Sequence, residues 1–121
     1  MTPEEWAGIG KRSIVWVPYL PSGQGHVGVV LAKYPDGKAL IATGQTKLTD
    51  EDRVELDWHT SPRREMAKPG LRDKGPFQFY GAWVKEYDRE QVTEDLGEVP
   101  KRDLFSVATM YGRWKKKAKE T

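Results

Sequence analysis

The sequence predicts a mainly β chain of about five antiparallel strands followed by one C-terminal helix, and three observations carry that prediction. Apolar segments of strand length follow one another through the first half, around Ile14 to Val17, His26 to Ala32 and Ala39 to Thr43. The last two flank Tyr34-Pro35-Asp36-Gly37. There the proline presets φ near about −65° and the glycine accepts the positive φ of a tight reversal, which makes a hairpin. Near the end, Leu104, Val107, Ala108, Tyr111 and Trp114 recur at helical spacing behind Pro100, a residue suited to opening a helix.

Each element has its own local reason. Thr2 caps a short N-terminal turn, Pro3 takes its first helical position, and Glu5 stands three residues after the cap, while Gly8 and Gly10 end it. A first strand through Trp16 to Tyr19 leads into a loop of Pro21, Ser22, Gly23, Gln24 and Gly25, and the hairpin strands follow. In Arg53-Val54-Glu55-Leu56-Asp57-Trp58 polar and apolar residues alternate, which puts Val54, Leu56 and Trp58 on one face of a fourth strand. His59 to Pro76 has no such pattern and reads as a long loop, and loops beyond ~12 residues in a compact domain are commonly functional. Phe77 to Lys85 carries two interleaved apolar sets and predicts a central strand buried on both faces. Arg89 to Leu96 reads as an irregular or single-turn segment ended by Gly97. In the terminal helix Phe105 and Met110 widen the apolar stripe, Trp114 is expected to be buried, and Gly112 weakens the helix by roughly 1 kcal/mol relative to alanine.

At 121 residues the chain is sized for one domain, residues 1–121. Only 37% of residues are hydrophobic but 5 are tryptophan, so the core must rest on a few large rings. Cysteine is absent, which excludes disulfides and thiolate chemistry. Two histidines, His26 and His59, are too few for an ordinary zinc site, and neither a metal nor a cofactor is expected. No apolar run approaches the ~20 residues of a membrane span and no secretory leader pattern is present, so a cytoplasmic protein with no membrane association is expected. A net charge of +2 is too small to argue for nucleic acid, but its distribution is uneven. Arg63, Arg64, Lys68, Arg72 and Lys74 gather in the long loop, and Arg113, Lys115, Lys116, Lys117 and Lys119 at the C-terminus, where a helix end itself favours cations.

Taken in order, KRSIVWVPYLP, GHVGVVLA, ALIATGQT and the late segment AWVKEYDREQVTEDLGEVPKRDLFSV resemble the words of the MazF/PemK toxins of toxin-antitoxin modules. The resemblance spans most of the chain apart from the stretch between Asp50 and Gly75. It implies a small SH3-like antiparallel β-barrel, shared with the CcdB gyrase poisons. It also implies a homodimer, cleavage of single-stranded RNA without a metal, and neutralisation by an acidic antitoxin protein. Thr46 matches the family's catalytic Ser/Thr position. The family's arginine-proline pair is replaced by Val27 and Gly28, and metal-free phosphoryl transfer that loses such a cation typically slows by ~10²-fold or more.

His26, beside that substitution, is a candidate general base or acid, since an imidazole titrates near neutrality. The alternative is a strand-opening residue facing solvent. Arg63 and Arg64, with Lys47 and Lys74, are candidate phosphate contacts, the guanidinium fork suiting two oxygens at once, against the alternative of a solvated basic loop. Trp16, Trp58, Tyr80 and Trp83 are stacking candidates for unpaired bases or core rings, and Trp58 is the one expected to be exposed. Trp114 is a candidate partner anchor because CcdB proteins carry a tryptophan near the same helix end. Three functions therefore stand: an RNA-binding toxin and endoribonuclease, a catalytically silent barrel binding nucleic acid or a protein, and an aromatic-cage reader built from Trp16, Tyr19, Trp58 and Tyr80.

Overall fold

The computed structural model describes residues 1–18, 25–44, 53–56 and 77–120. Helix α1 (Pro3–Gly8) begins with the anticipated capping box, in which Glu5 N donates to Thr2 Oγ1 at 3.2 Å and Thr2 N to Glu5 Oε1 at 2.9 Å. Strands β1 (Ser13–Pro18), β2 (Gly25–Lys33) and β3 (Lys38–Gly44) follow. The β2–β3 turn has the chemistry its residues foretold. Gly37 sits at φ +88°, and Tyr34 N donates to Lys38 O at 2.8 Å. Asp36 Oδ1 accepts from Lys38 N at 3.0 Å.

Strands β4 (Arg53–Leu56) and β5 (Phe77–Tyr80) pair antiparallel as a separate ribbon. A 3₁₀ turn, Gly81–Trp83, then leads to β6 (Val84–Asp88). A second 3₁₀ turn, Arg89–Gln91, precedes β7 (Glu94–Glu98), and α2 (Lys101–Glu120) closes the chain. The main sheet is antiparallel throughout in the order β6-β3-β2-β1-β7. The mainly β class with a C-terminal helix holds. Barrel closure does not, because β6 and β7 are the two edges of this sheet among the described residues.

Both faces of the sheet are covered. On one, Ile14, Val27, Val29, Ala42, Val84 and Leu96 pack with Phe77 and Phe79 of β5 and with Val107 and Met110 of α2. On the other, Val15, Val17, Val30, Ala39 and Ile41 pack with Trp6, Ile9 and Val92. Lys33 secures α1 to this second face: its Nζ donates to the carbonyls of Trp6 and Ile9 at the helix C-terminal end and lies 5.6 Å from the Trp6 ring centroid. Arg12, in the left-handed region at φ +78°, clamps the opposite end, its Nε donating to Val99 O at 2.9 Å.

Three expectations need correction. Phe77 to Lys85 is two strands in different sheets, because Gly81 lies against α2 so closely that a β-carbon there would overlap Trp114 Cβ, and the chain turns at that point. The Arg89 to Leu96 segment does hold a single turn, Arg89–Gln91, but from Glu94 it is β7, an edge strand with three acids and one buried residue, Leu96, too polar to show a strand pattern. On α2, Met110 is buried but Phe105 is 73% exposed and Trp114 37% exposed, stacked on Tyr111 at 6.1 Å. No helix among the described residues is long and apolar enough to cross a membrane.

Candidate functional site

The second face of the sheet changes character along its length. At one end the rows are aliphatic and lie under α1. At the other the same rows become polar: His26 stands across from Val17, Thr43 across from Gly28, and Lys85 across from Ile41. Strand periodicity places Tyr87, two residues from Lys85 and across from Ala39, on this face too. A cleft of about 650 Å³ opens there, walled by Val17 and Pro18 of β1, by Trp83, and by Glu90, Gln91 and Thr93. Gly28 shapes its floor. A β-carbon at 28 would sit 2.5 Å from Ile41 Cγ2 and 3.4 Å from Val17 Cγ2, so only glycine lets these two side chains close over β2 behind His26.

Burial lowers the His26 pKa below the ordinary 6.5, while a hydrogen bond with the Gly44 backbone opposes the shift. At neutral pH the ring is therefore uncharged, and a neutral imidazole has one nitrogen of the kind that accepts a proton. The His26 ring also meets Trp83, with centroids 5.4 Å apart and planes inclined at 53°. Thr43 Oγ1 donates to Trp83 O at 3.3 Å and is hydrogen-bonded with the Tyr87 hydroxyl. Burial pushes the Tyr87 phenol up, with the Thr43 hydrogen bond opposing it, so this side chain stays protonated at neutral pH. Lys85 brings a cation to the same wall. A neutral base, a cation and a hydroxyl pair thus converge on one cleft, the equipment for moving a proton beside an anionic group.

Of the residues singled out from sequence, His26 lies in this cleft. Thr46, Lys47, Trp58, Arg63, Arg64 and Lys74 lie outside the described residues. Val27, at the position of the family arginine, is buried in the core against α2, on the sheet face opposite the cleft. Trp16 and Tyr80 pack against that same core, whereas Trp83 lines the cleft. Lys85, Thr43 and Tyr87 went unrecognised as site residues. Their signal was present: Lys85 and Tyr87 are two apart in a strand and so share a face. Reading β6 as the tail of a longer central strand hid it. Among the described residues no group of three or more His, Cys, Asp or Glu is placed to hold a metal ion.

No known family model matches the sequence, and no curated protein does. Its fold is similar to that of an endoribonuclease from a mycobacterial species solved in complex with its cognate antitoxin, with a TM-score of 0.59 and 11% identity. The match covers 88% of this chain and 93% of the other. At that identity the likeness is one of fold.

Proposed function

We propose that this chain is a toxin of the MazF/PemK kind that binds single-stranded RNA and cleaves it without a metal, as the endoribonuclease of a toxin-antitoxin pair. The observation that supports this best is the cleft, where a neutral imidazole, a lysine and two hydroxyl groups meet at one end of the sheet. In this reading a ring nitrogen of His26 takes the proton of a ribose 2′-hydroxyl, whose oxygen attacks the adjacent phosphorus to form a 2′,3′-cyclic phosphate and expels the 5′ oxygen, which takes up a proton from water. Lys85 faces the charge that develops on the phosphate, taking up the role for which Val27 has no charge. Thr46, two residues past β3 in sequence, remains the second catalytic candidate. Arg63, Arg64, Lys47, Trp58 and Lys74 are proposed to grip the flanking strand. An acidic antitoxin and a second copy of the chain are the proposed protein partners, in the cytoplasm.

The test is incubation of purified protein with long single-stranded RNA in the presence of a chelator. Fragmentation is expected, with His26→Gln lowering it by about 10²-fold or more. Fragmentation unchanged in a folded His26→Gln protein would remove His26 from the mechanism. Val27 in place of arginine favours one second reading, a silent relative that binds nucleic acid or a protein partner. Salt-dependent RNA binding without fragmentation would establish its nucleic-acid form.

A further inference from the structure

Part of the cleft wall is the Arg89–Gln91 turn, which carries the chain from β6 to β7. This turn is pinned at both ends. Before it, Asp88 pairs with Lys38 of β3. After it, Val92 is fully buried in the second-face core and donates its N–H to Arg89 O at 3.3 Å, and Thr93 N donates to Trp16 O of β1 at 3.1 Å. A side chain carried by so short and fixed a turn is suited to reading a ligand.

Gln91 lines the cleft, and one end of its amide is already engaged, with Oε1 accepting from Asp88 N at 2.8 Å. A backbone N–H requires an acceptor, so the oxygen and not the nitrogen takes that bond. The amide is thereby oriented, and what it brings to a ligand is the donor pair on Nε2. A glutamine with both ends available offers donor and acceptor together, as the edge of adenine requires, whereas this one offers donors. Its neighbour Glu90 is turned to Arg89, with Oε1 3.5 Å from Nη2 of that guanidinium.

We infer that Gln91 determines specificity in the cleft, donating from Nε2 to the 4-keto oxygen of a pyrimidine base and so favouring uracil over cytosine. The inference rests on the reading of this chain as one that binds single-stranded RNA, and it adds which base edge the cleft accepts. Uracil and cytosine have the same ring size and share the 2-keto group, but at the 4-position uracil carries an oxygen and cytosine an amino group. A donor fixed against that edge meets an acceptor in uracil. In cytosine it meets a second donor, and both then lose water with nothing in exchange.

The test is fluorescence anisotropy with short 2′-O-methyl oligouridine and oligocytidine, whose blocked 2′ oxygen cannot attack phosphorus, so that binding is read apart from cleavage. Wild type should favour the uridine oligomer by about 5-fold, the scale of one hydrogen bond. Gln91→Glu keeps an oxygen for Asp88 N and puts a second oxygen where Nε2 stood, so the ratio should fall to one or below. The added charge weakens both oligomers alike and cancels in the ratio. Gln91→Met, similar in length but without the amide, should bring the ratio close to one; should it fail to fold by circular dichroism for want of the cap, the glutamate variant, which keeps the cap, decides alone. A uridine preference unchanged in folded Gln91→Glu would overturn the inference, as would a wild type that binds both oligomers equally, and in both cases the RNA-binding reading stands. A wild type that binds neither oligomer defeats that reading and the inference with it.

Discussion

At the scale of single residues the titration of His26 has a consequence for stability. Its folded-state pKa is depressed, so between that value and 6.5 the unfolded chain binds the proton and the folded chain does not. Stability therefore falls as the pH drops below about 6.5, and the loss is complete once the pH is below the folded pKa. Urea titrations at neutral and mildly acid pH should show a lower midpoint in acid, and His26→Gln should flatten that part of the profile. A wild-type midpoint constant from pH 7 to 5 would contradict the burial argument. Lys85 makes a different prediction. If it contacts one phosphate, Lys85→Ala should reduce the slope of log K against log salt for a single-stranded oligonucleotide by about 0.7, and a slope that does not change would place the phosphate elsewhere. That lysine shows how the site was only half legible. His26 announces itself by type and position, but a lysine on a strand is ordinary until its register across from Ile41 is known.

At the scale of elements, the parts that could be read were those whose signals are local. Thr2, Pro3 and Glu5 fix α1 within one turn, and Pro35, Asp36 and Gly37 fix the hairpin within four residues, so no distant contact was needed to find them. Thr2→Ala should accordingly destabilise the fold by about 0.5–2 kcal/mol in chemical denaturation, through loss of the cap alone. The parts misread depend on distant partners. Nothing near Gly81 in sequence reveals that Trp114, on the last helix, will press on it and turn the chain there. The three atoms nearest a methyl group added at Gly81 are side-chain carbons of Trp114, all within 2.8 Å. Gly81→Ala should therefore destabilise by about 1–3 kcal/mol and change the near-ultraviolet circular dichroism of the tryptophans. An alanine variant as stable as wild type would show that the turn tolerates displacement and that another contact sets the bend.

At the scale of the whole molecule, the two sheets and α2 meet around Phe79, and the contrast between two phenylalanines tests that arrangement. Phe79 is fully buried, and its ring lies over Gly44, where a β-carbon would come within 2.5 Å of Phe79 Cε1. It thus joins the β4–β5 ribbon to the end of β3, beside the backbone that hydrogen-bonds His26. Phe105 presents a comparable side chain on the exposed side of α2, with 73% of its surface in solvent. Burial, not residue type, decides the energetics. Phe79→Ala removes a ring from a packed interior and leaves a cavity, for an expected loss of about 3–5 kcal/mol. Phe105→Ser removes a ring that water already surrounds, for an expected change within about 0.5 kcal/mol. Because the Phe79 ring braces Gly44, the milder Phe79→Leu should also perturb the His26 NMR signal through the backbone, while Phe105→Ser leaves it where it was. Denaturation midpoints for the alanine and serine variants, with a histidine spectrum of the leucine and serine variants, separate the outcomes. Equal losses from Phe79→Ala and Phe105→Ser would mean that α2 does not sit on the sheet as described. A large loss at Phe79 with an unmoved His26 signal would mean that the ribbon stabilises the fold without bracing the cleft.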